Sequence, residues 1–406
     1  MRYVGLDVGR DFAHVAVVEE KGTARRLPRV PMGDAFREFA ATLGPQDVVA
    51  LEASTNTWAL AELLGRHAGR VVVSNPLRTR AIADAKRKTD DIDAATLAEL
   101  LAADYLPEVW VPDEATRRLR RLVSLRAGLV RDRTATRNRV TAVLSRRLLR
   151  SPVSDPFGVA GRRWLTALEL PPDERLALDS ALRLDALLSE EIDTVARAIA
   201  TMVVDDPRIR RLLTIPGIGL VTAAGILAVI GDIGRFSRPA KLVSYLGLDP
   251  RVRQSGDRPA WGGHISRQGQ AHARGLLAEA AHSAIRSPGP LAGFHARVKA
   301  RRGGGVATIA VARKLAVIAW HLLTRDEDYR EARADLVRAK GRALERLAGR
   351  AAPGTRPPQR GATTSGPDRG RTRLRGGDDP HHPALRHAVD RVRPDDTPGR
   401  AADARA

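Results

Sequence analysis

The first 110 residues alternate between short apolar segments and amphipathic segments, and this order limits what the chain can fold into. Two strands are predicted at 3–8 and 12–19, joined by a tight turn at 9–11, and a third strand is predicted at 25–30. Helices and strands then alternate: helix 33–43, strand 47–53, helix 57–69 ended by Gly69, strand 70–75 and a helical stretch over 77–103. The β-β-β-α-β-α-β-α order predicts a mixed sheet with helices against it.

Four carboxylates interrupt this pattern at places where a charge is costly. Asp7 lies in the apolar run of the first strand and Glu52 in that of the fourth strand, where an unpaired ion is expensive to bury. Asp90 and Asp93 are three residues apart on the next predicted helix, which projects both to one face. If the first and fourth strands are neighbours, all four acids meet at one edge of the sheet. Clustered carboxylates repel one another, and Mg²⁺, which takes oxygen ligands, would neutralise them.

Each acid also has an ordinary structural explanation. Asp7 could cap a turn at the end of its strand, and Glu52 could pair with an arginine. Asp90 or Asp91 could cap a helix. Asp91 lies roughly 100° around the helix from Asp90, so Asp90 and Asp93 form the geometrically cleaner pair. The metal interpretation therefore depends on all four acids occurring in order on the expected elements.

The charge of the chain predicts a polyanionic partner. The formal net charge is +21, with 68 Lys and Arg against 47 Asp and Glu, and nucleic acid is the first candidate for such a protein. Residues 117–150 contain 12 arginines and one acid, Asp132. A solvated helix face is the alternative explanation, but it does not account for the near absence of acids. The arginines predicted to contact nucleic acid here are Arg117, Arg120, Arg121, Arg131 and Arg137.

Composition also limits location. The chain has no cysteine, which excludes disulfides and Cys-ligated zinc and suits a reducing cytoplasm. Its N-terminus does not have the pattern of a signal peptide, and no apolar run approaches the length of a membrane span. We therefore expect a cytoplasmic, nucleoid-associated protein with no membrane partner.

The chain divides into four predicted regions. Residues 1–110 form the α/β region, residues 113–205 form an arginine-rich helical hairpin or coiled coil, and residues 206–335 form a mainly helical domain. The segment 345–406 is a basic tail rich in Pro and Gly, and its last part, 351–406, contains 8 Pro, 7 Gly, 11 Arg and 7 Asp. With few large apolar residues, this tail is predicted to be disordered. It is either a nonspecific polyanion-binding extension or translated flanking sequence.

A glycine-containing turn lies near the start of the third region. The sequence "LLTIPGIGLVTAAGILAVIG" (212–231) has Pro216-Gly217-Ile218-Gly219 between two predicted helices, a pattern typical of the helix-hairpin-helix. Gly217 and Gly219 would let backbone N–H groups approach a DNA phosphate, which would position DNA without reading its sequence. An ordinary turn between two helices is the alternative.

Several segments resemble a known family. "VGLDVGRDFAHVAVV", "LEASTNTW" and "VSNPLRTRAIADAKRKTDDIDAATLAELL" resemble the DEDD group of insertion-sequence transposases, whose N-terminal domain is similar to RuvC Holliday-junction resolvases. The segment order of residues 1–110 is also the one used by ribonuclease-H-like folds. The resemblance extends to about residue 335. It implies a RuvC-like N-terminal domain in which Asp7, Glu52, Asp90 and Asp93 bind Mg²⁺.

The resemblance also implies a nucleophile in the C-terminal domain. "YLGLDPRVRQSGDRPAWGGHISRQG" (245–269) is similar to the region where the family carries a Ser-Gly pair, which implies that Ser255 attacks the DNA backbone. On chemistry alone Ser255 is a loop serine like many others, because a hydroxyl is a weak nucleophile unless it is activated. Ser266 is the second candidate. The arginines nearby that could hold a phosphate and stabilise its developing charge are Arg251, Arg253, Arg258 and Arg267.

The family resemblance implies a function, with two alternatives. The implied enzyme is an Mg²⁺-dependent transposase that forms a covalent phosphoserine link to DNA, guided by an RNA from the element's own flank. Its partners would be donor DNA, target DNA, the RNA and further copies of the chain as a dimer or tetramer. The first alternative is a two-metal junction nuclease in which water replaces serine as nucleophile. The second is a non-catalytic DNA-binding relative, which the presence of all four acids disfavours.

Overall fold

The N-terminal part of the chain contains a five-stranded mixed sheet, in the computed structural model that describes residues 1–19, 22–82, 90–253 and 261–350. The strands are β1 (Arg2–Val8), β2 (Phe12–Glu19), β3 (Arg25–Pro31), β4 (Asp47–Glu52) and β5 (Arg70–Ser74), in the spatial order β3-β2-β1-β4-β5. β1 pairs antiparallel with β2 and parallel with β4. The mixed sheet predicted from the order of segments is therefore confirmed.

Helices cover both faces of this sheet. They are α1 (Asp34–Ala41), α2 (Thr57–Leu64), α3 (Pro76–Ile82) and α4 (Asp90–Ala102). On one face, the odd and even alternation of β1 and β4 directs buried Leu6 and Leu51 against Phe36 of α1 and Leu64 of α2, as expected for strands buried on both sides. On the other face, Ala50 of β4 packs against Leu97 and Leu101 of α4.

One prediction of helix bounds in this region needs correction, and another is tested only in part. The predicted helix 57–69 ends earlier, because α2 stops at Leu64 with Gly65 as its C-cap. Gly69 has a different role: a Cβ at this position would lie 2.0 Å from the carbonyl oxygen of Pro45, so the chain passes too close for any side chain. The predicted stretch 77–103 contains α3 and α4, and the residues between them, 83–89, lie outside the described residues.

Small residues allow α4 to lie directly on the sheet. A Cβ on Gly5 of β1 would come within 2.1 Å of the carbonyl oxygen of Ala94 and 2.5 Å of the amide nitrogen of Ala98. Ala16 of β2 packs against the same two alanines, and all three side chains are fully buried. The backbone of α4 is therefore in van der Waals contact with the backbone of β1, which fixes the distance between helix and strand.

Two long helices form the middle of the chain, as the sequence predicts. They are α5 (Glu114–Arg146) and α7 (Pro172–Val203), which pack against each other, with the short α6 (Val159–Ala167) between them in sequence. α5 begins where the Asp113 side chain accepts a hydrogen bond from the amide of Thr116 at 2.6 Å, a common N-cap. In the middle of α7, the fully buried Asp185 forms ion pairs with Arg137 and Arg162.

The C-terminal part is helical apart from one β-hairpin. Its elements are α8 (Pro207–Leu213), α9 (Leu220–Ile230), α10 (Pro239–Tyr245), β6 (Pro250–Arg253), β7 (Trp261–Ile265), α11 (Ala271–Ala284), α12 (Pro290–Arg302), α13 (Gly304–Arg325) and α14 (Ala334–Leu347). The hairpin and α14 were not predicted. α13 is long and apolar enough to cross a membrane by length and composition, but half of its most apolar window is buried in this core. That burial accounts for its apolar character without a membrane.

Candidate active site

Asp7 and Glu52 lie side by side at the carboxyl ends of neighbouring parallel strands. Leu6 of β1 and Leu51 of β4 are paired in the sheet register, and the two acids are the next residue on each strand. Because side chains alternate between the faces of a sheet, Asp7 lies on the face of Gly5 and Glu52 on the face of Ala50. Both acids therefore lie on the face that α4 covers.

The N-terminal turn of α4 brings the other two acids to this point. Burial, followed by the negative charges of Asp90, Asp93 and Glu52, raises the pKa of Asp7 to about 6. The contributions of these three acids show that they lie close enough to Asp7 to interact with its charge. The four acids predicted from the sequence thus form one cluster, defined by the C-terminal ends of β1 and β4 and the start of α4.

Residues on the far side of Glu52 hold the end of β4 in place. The side chain of Thr57 is buried, and its hydroxyl accepts a hydrogen bond from the amide of Ser54 at 2.5 Å. The same hydroxyl lies 3.2 Å from the carbonyl oxygen of Glu52 and 3.0 Å from that of Ser54. The "EASTNT" segment therefore forms a fixed turn directly after the acid.

His14 is a member of this site that sequence reasoning missed. It faces Asp7 across the β1–β2 register, and its Nε2 lies 3.6 Å from Oδ2 of Asp90. The residue is visible in the sequence as the polar member of "FAHVAVV", but its relation to Asp7 depends on the strand register across the turn at 9–11. An imidazole beside carboxylates adds a fifth group that can orient an acid or ligate a metal.

Asp47, at the opposite end of β4, is a structural acid whose environment can be compared with that of Asp7. Its side chain is fully buried and accepts hydrogen bonds from Arg2 at 2.9 and 2.5 Å and from the amide of Gly44 at 2.8 Å. Burial acts to raise the pKa of Asp47, but the bonds from Arg2 and Gly44 lower it below its usual value. Its partners are cationic or amide groups, whereas the neighbours of Asp7 that shift its pKa most are other acids.

The chemistry of the cluster fits a hard divalent cation. Carboxylate oxygens are the preferred ligands of Mg²⁺. Burial and, after it, repulsion by the neighbouring acids raise the pKa of Asp7, and a bound cation would oppose both effects. Within the described residues, no three acidic or imidazole groups lie close enough together to hold one ion. The Asp90 side chain is 72 % exposed and approaches His14, so ligation by all four acids requires that Asp90 turn towards Asp7.

The predicted nucleophile, Ser255, lies in sequence between β6 and β7. Ser255 and Arg258 lie in 254–260, outside the described residues, as does the side chain of Arg253. Arg251 donates a hydrogen bond to the carbonyl oxygen of Ser266 at 3.2 Å, and Arg267 is exposed.

The base of the β6–β7 hairpin is held by Asp249. The hydroxyl of Ser266 donates to Oδ1 of Asp249 at 2.7 Å, and its amide donates to the carbonyl oxygen of Asp249 at 2.8 Å. The hydroxyl of Ser244 lies 3.3 Å from the other carboxylate oxygen. Ser266, the second candidate nucleophile, is therefore engaged in holding the base of the β6–β7 hairpin.

The arginines of α5 have different environments. Arg120 donates to the carbonyl oxygens of Ala228 and Val229 at the end of α9, at 2.6 and 3.2 Å. Arg137 binds Asp185. Arg117 and Arg121 form ion pairs with Glu114. Arg131 is exposed. Fold contacts thus engage most of the arginines that sequence reasoning assigned to nucleic acid.

The two glycines of the predicted helix-hairpin-helix also differ. Gly217 has a φ of +79°, and a Cβ there would lie 2.2 Å from the carbonyl oxygen of Ala280 on α11. A side chain at this position would clash with α11, so the glycine is needed for packing within the protein. A Cβ on Gly219 would meet nothing within 4 Å, and Gly219 is the N-cap of α9. Of the two, Gly219 is the one whose backbone is open to a ligand.

Comparison with known proteins identifies the class of enzyme. A family model for DEDD transposases matches residues 4–147, and the model described as "Transposase IS116/IS110/IS902 family" matches 209–296. The transposase for insertion sequence element IS1328 of Yersinia enterocolitica is 28 % identical over 333 residues, covering 79 % of this chain and 96 % of that protein. The transposase for element IS1111A of Coxiella burnetii is 27 % identical over 359 residues, with 81 % and 92 % covered.

A third relative has a different name. The pilin gene-inverting protein of Moraxella lacunata is 28 % identical over 292 residues, covering 69 % of this chain and 80 % of that protein. With the mixed sheet and its cluster of acids, these matches define a transposase, an enzyme that cleaves and recombines DNA. Within that class, the chain is similar to the IS116/IS110/IS902 family of insertion-sequence transposases. Its DEDD group is typically metal-dependent.

Proposed function

We propose that this transposase is an Mg²⁺-dependent recombinase that uses Ser255 as its nucleophile and Asp7, Glu52, Asp90 and Asp93 as its metal ligands. The observation that carries the proposal is the convergence of the four acids beside the ends of β1 and β4, where the pKa of Asp7 rises to about 6. A bound divalent ion polarises a phosphodiester and stabilises charge on its leaving oxygen. The acids of this chain supply the negative charge that holds such an ion.

The proposed reaction is one exchange of phosphoester bonds. The Ser255 oxygen loses its proton and forms a bond to phosphorus, the bond from that phosphorus to one deoxyribose oxygen breaks, and the freed oxygen takes up a proton in place of the one that the serine lost. The product is a phosphoserine link that a hydroxyl from another strand can later attack, which releases the serine. Arg251 and Arg267 are exposed or partly exposed near the hairpin and would hold the nonbridging oxygens of the phosphate.

We further propose that a guide RNA from the element bridges donor and target DNA, and that two or four copies of the chain assemble on them. The net charge of +21 supports binding of several polyanions. Because two duplexes are joined in recombination, at least two cleavage sites are needed at once. The Moraxella relative, whose name describes gene inversion, is consistent with joining two sites.

The test is a search for a covalent intermediate. Purified protein is incubated with Mg²⁺, RNA transcribed from the flank of the element and DNA that carries the element's junction, and the products are separated on a denaturing gel. We expect a protein–DNA adduct with the wild-type chain and none with Ser255→Ala. Ser266→Ala is the matched control: if Ser255 is the nucleophile, this variant keeps the adduct, with a yield lowered only by loosening of the hairpin base.

Three results would argue against the proposal. Cleavage without an adduct, unchanged in Ser255→Ala, would indicate a hydrolytic nuclease that uses water. An adduct that disappears in Ser266→Ala and persists in Ser255→Ala would exchange the roles of the two serines. Full activity of Asp90→Ala in the presence of a chelator would show that the reaction does not need the proposed metal site.

A further inference from the structure

The helices α12 and α13 form the longest acid-free part of the described chain. Residues 280–325 contain no Asp or Glu and eight Lys and Arg. Four of these cations, Lys299 and the arginines at 297, 301 and 302, are exposed in the last turns of α12, and Arg313 and Lys314 are exposed on α13. We call these six residues the α12–α13 basic face.

The two helices bring these cations close to one another at the end of α12 and its contact with α13. α12 and α13 pack against each other, and Nζ of Lys314 lies 5.8 Å from the centre of the Phe294 ring on α12. The basic pair of α13 is therefore next to α12, whose own cations begin three residues after Phe294. Because acidic residues are absent from both helices, the field of this face is not compensated locally.

Ion pairing distinguishes this face from the arginine-rich α5. On α5, Arg117 and Arg121 pair with Glu114, and Arg137 pairs with the buried Asp185. For the six cations of the α12–α13 basic face, no ion pair is found in the part of the chain that the structure describes. An arginine already paired with a carboxylate must give up that partner to bind a phosphate, whereas an unpaired one does not.

We propose that the α12–α13 basic face binds the sugar–phosphate backbone of duplex DNA. This inference rests on the proposed action on DNA but concerns a surface outside the acid cluster and the β6–β7 hairpin. Recognition of single-stranded RNA uses exposed aromatic side chains on which bases stack. The aromatic residues of these helices are not available in that way: Phe294 is half-buried, and Trp320 donates its indole N–H to the carbonyl oxygen of Phe236 at 2.8 Å. Positive charge without a stacking surface suits a duplex backbone.

The test compares the salt dependence of binding between charge-matched variants of the full chain. In the first variant, glutamine replaces Arg297, Lys299, Arg301 and Arg302. In the control, glutamine replaces four exposed arginines that have carboxylate partners: Arg25, Arg37, Arg66 and Arg333. The probes are a short DNA duplex of arbitrary sequence and an RNA hairpin, and binding is measured over a range of salt concentrations.

We expect the first variant to lose affinity for duplex DNA and to lower the slope of log K against log[salt] by about 2 to 4, since each phosphate contact contributes about 0.9. The control should change the slope by less than about 0.9, which is the contribution of one phosphate contact. The double variant Arg313→Gln/Lys314→Gln, on the other helix, should lower the slope by about 1 to 2 and provides an independent reading if the fourfold variant is poorly folded.

Four outcomes would overturn this inference. Equal losses in the α12 variant and the control would show that only total charge matters. Loss of binding to the RNA hairpin with duplex DNA binding unchanged would assign the face to RNA. If the α12 and α13 variants both bind duplex DNA as the wild type does, the inference fails while the proposed function stands. If the wild-type chain binds no DNA, the proposed function fails as well.

Discussion

Asp7 carries a negative charge at a cost in the metal-free protein. Its pKa is raised from 3.8 to about 6 by burial and by three neighbouring acids. A raised carboxyl pKa means that the folded state binds the proton more tightly than the unfolded chain does. The contribution of Asp7 to stability is therefore greatest at low pH and is lost as the pH rises from about 4 to about 6.

This cost predicts a pH-dependent response to metal. Above pH 6, where the acids are ionised, Mg²⁺ should raise the melting temperature, and at about pH 5, where Asp7 is largely protonated, the rise should be smaller. Asp7→Asn removes one of the repelling charges, so this variant should melt higher than the wild type in chelator and respond less to Mg²⁺. Differential scanning fluorimetry measures both effects. A wild-type response to Mg²⁺ in Asp7→Asn would contradict the assignment.

At the scale of elements, the turn between α8 and α9 contains one glycine that is needed for packing and one that is open to a ligand. Gly217 lies against the backbone of α11, whereas Gly219 faces open space. Gly217→Ala combines a left-handed backbone with a clash, and we expect it to lower the free energy of unfolding by about 2–4 kcal/mol. Gly219→Ala should fold like the wild type. Urea unfolding followed by circular dichroism distinguishes the two variants.

The same pair tests whether the turn contacts DNA. If the backbone at Gly219 approaches a phosphate, Gly219→Ala should weaken binding to duplex DNA without changing stability. Unchanged binding in this folded variant would leave the turn with a purely structural function.

A partly buried lysine joins α14 to the same turn. Nζ of Lys340 donates to the carbonyl oxygens of Leu213 and Ile215, at 2.7 and 2.9 Å, and burial lowers the pKa of Lys340 to about 8. Because the folded state then binds the proton less tightly than the unfolded chain, the free energy of unfolding should rise between about pH 8 and the ordinary lysine pKa of 10.5.

Two lysine variants test this expectation. Lys340→Met should remove the rise in stability between these pH values and leave two carbonyl groups unpaired, at a cost of about 1–3 kcal/mol. Lys241→Met, at an exposed position on α10, should retain the rise. Identical pH profiles of stability in the wild type and Lys340→Met would show that the Lys340 ammonium group is not perturbed.

At the scale of the whole molecule, one short segment joins the sheet to the C-terminal helices. The amide of Val109 donates to the carbonyl oxygen of Val73 in β5 at 2.7 Å. The next residue, Trp110, stacks with the guanidinium of Arg235 at 4.5 Å. A Cβ on Gly231 would lie 2.1 Å from the Trp110 ring. Adjacent residues thus contact two different cores.

Removal of this ring should loosen the connection. We expect Trp110→Ala to lower the free energy of unfolding by about 3 kcal/mol and to increase amide hydrogen exchange at the end of α9 and in α10, while exchange in β1 and β4 changes little. Tyr105→Ala, at a 65 % exposed position, is the control and should change neither. Uniform loss of protection across the sheet would show instead that the chain unfolds as one unit.

The sequence predicted the features that depend on local pattern. The strand order, the two long helices and the four acids follow from apolar periodicity and from charges in apolar runs. The role of His14 could not be predicted in this way, because its relation to Asp7 depends on strand register. The structural contacts of Arg120 and Arg137 could not be predicted either, because their partners are 108 and 48 residues away in sequence. The β6–β7 hairpin was missed because its strands are short and polar, and α14 was missed because the composition changes just beyond it.

The packing of Gly5 bears on how copies of this element in genomes should be interpreted. Many copies of an insertion sequence decay, and the usual sign of decay is loss of a catalytic acid. Here, a single base change from glycine to alanine at position 5 would push α4 away from β1 and separate Asp90 and Asp93 from Asp7 and Glu52. A copy with all four acids intact and a side chain at position 5 should therefore be counted as immobile.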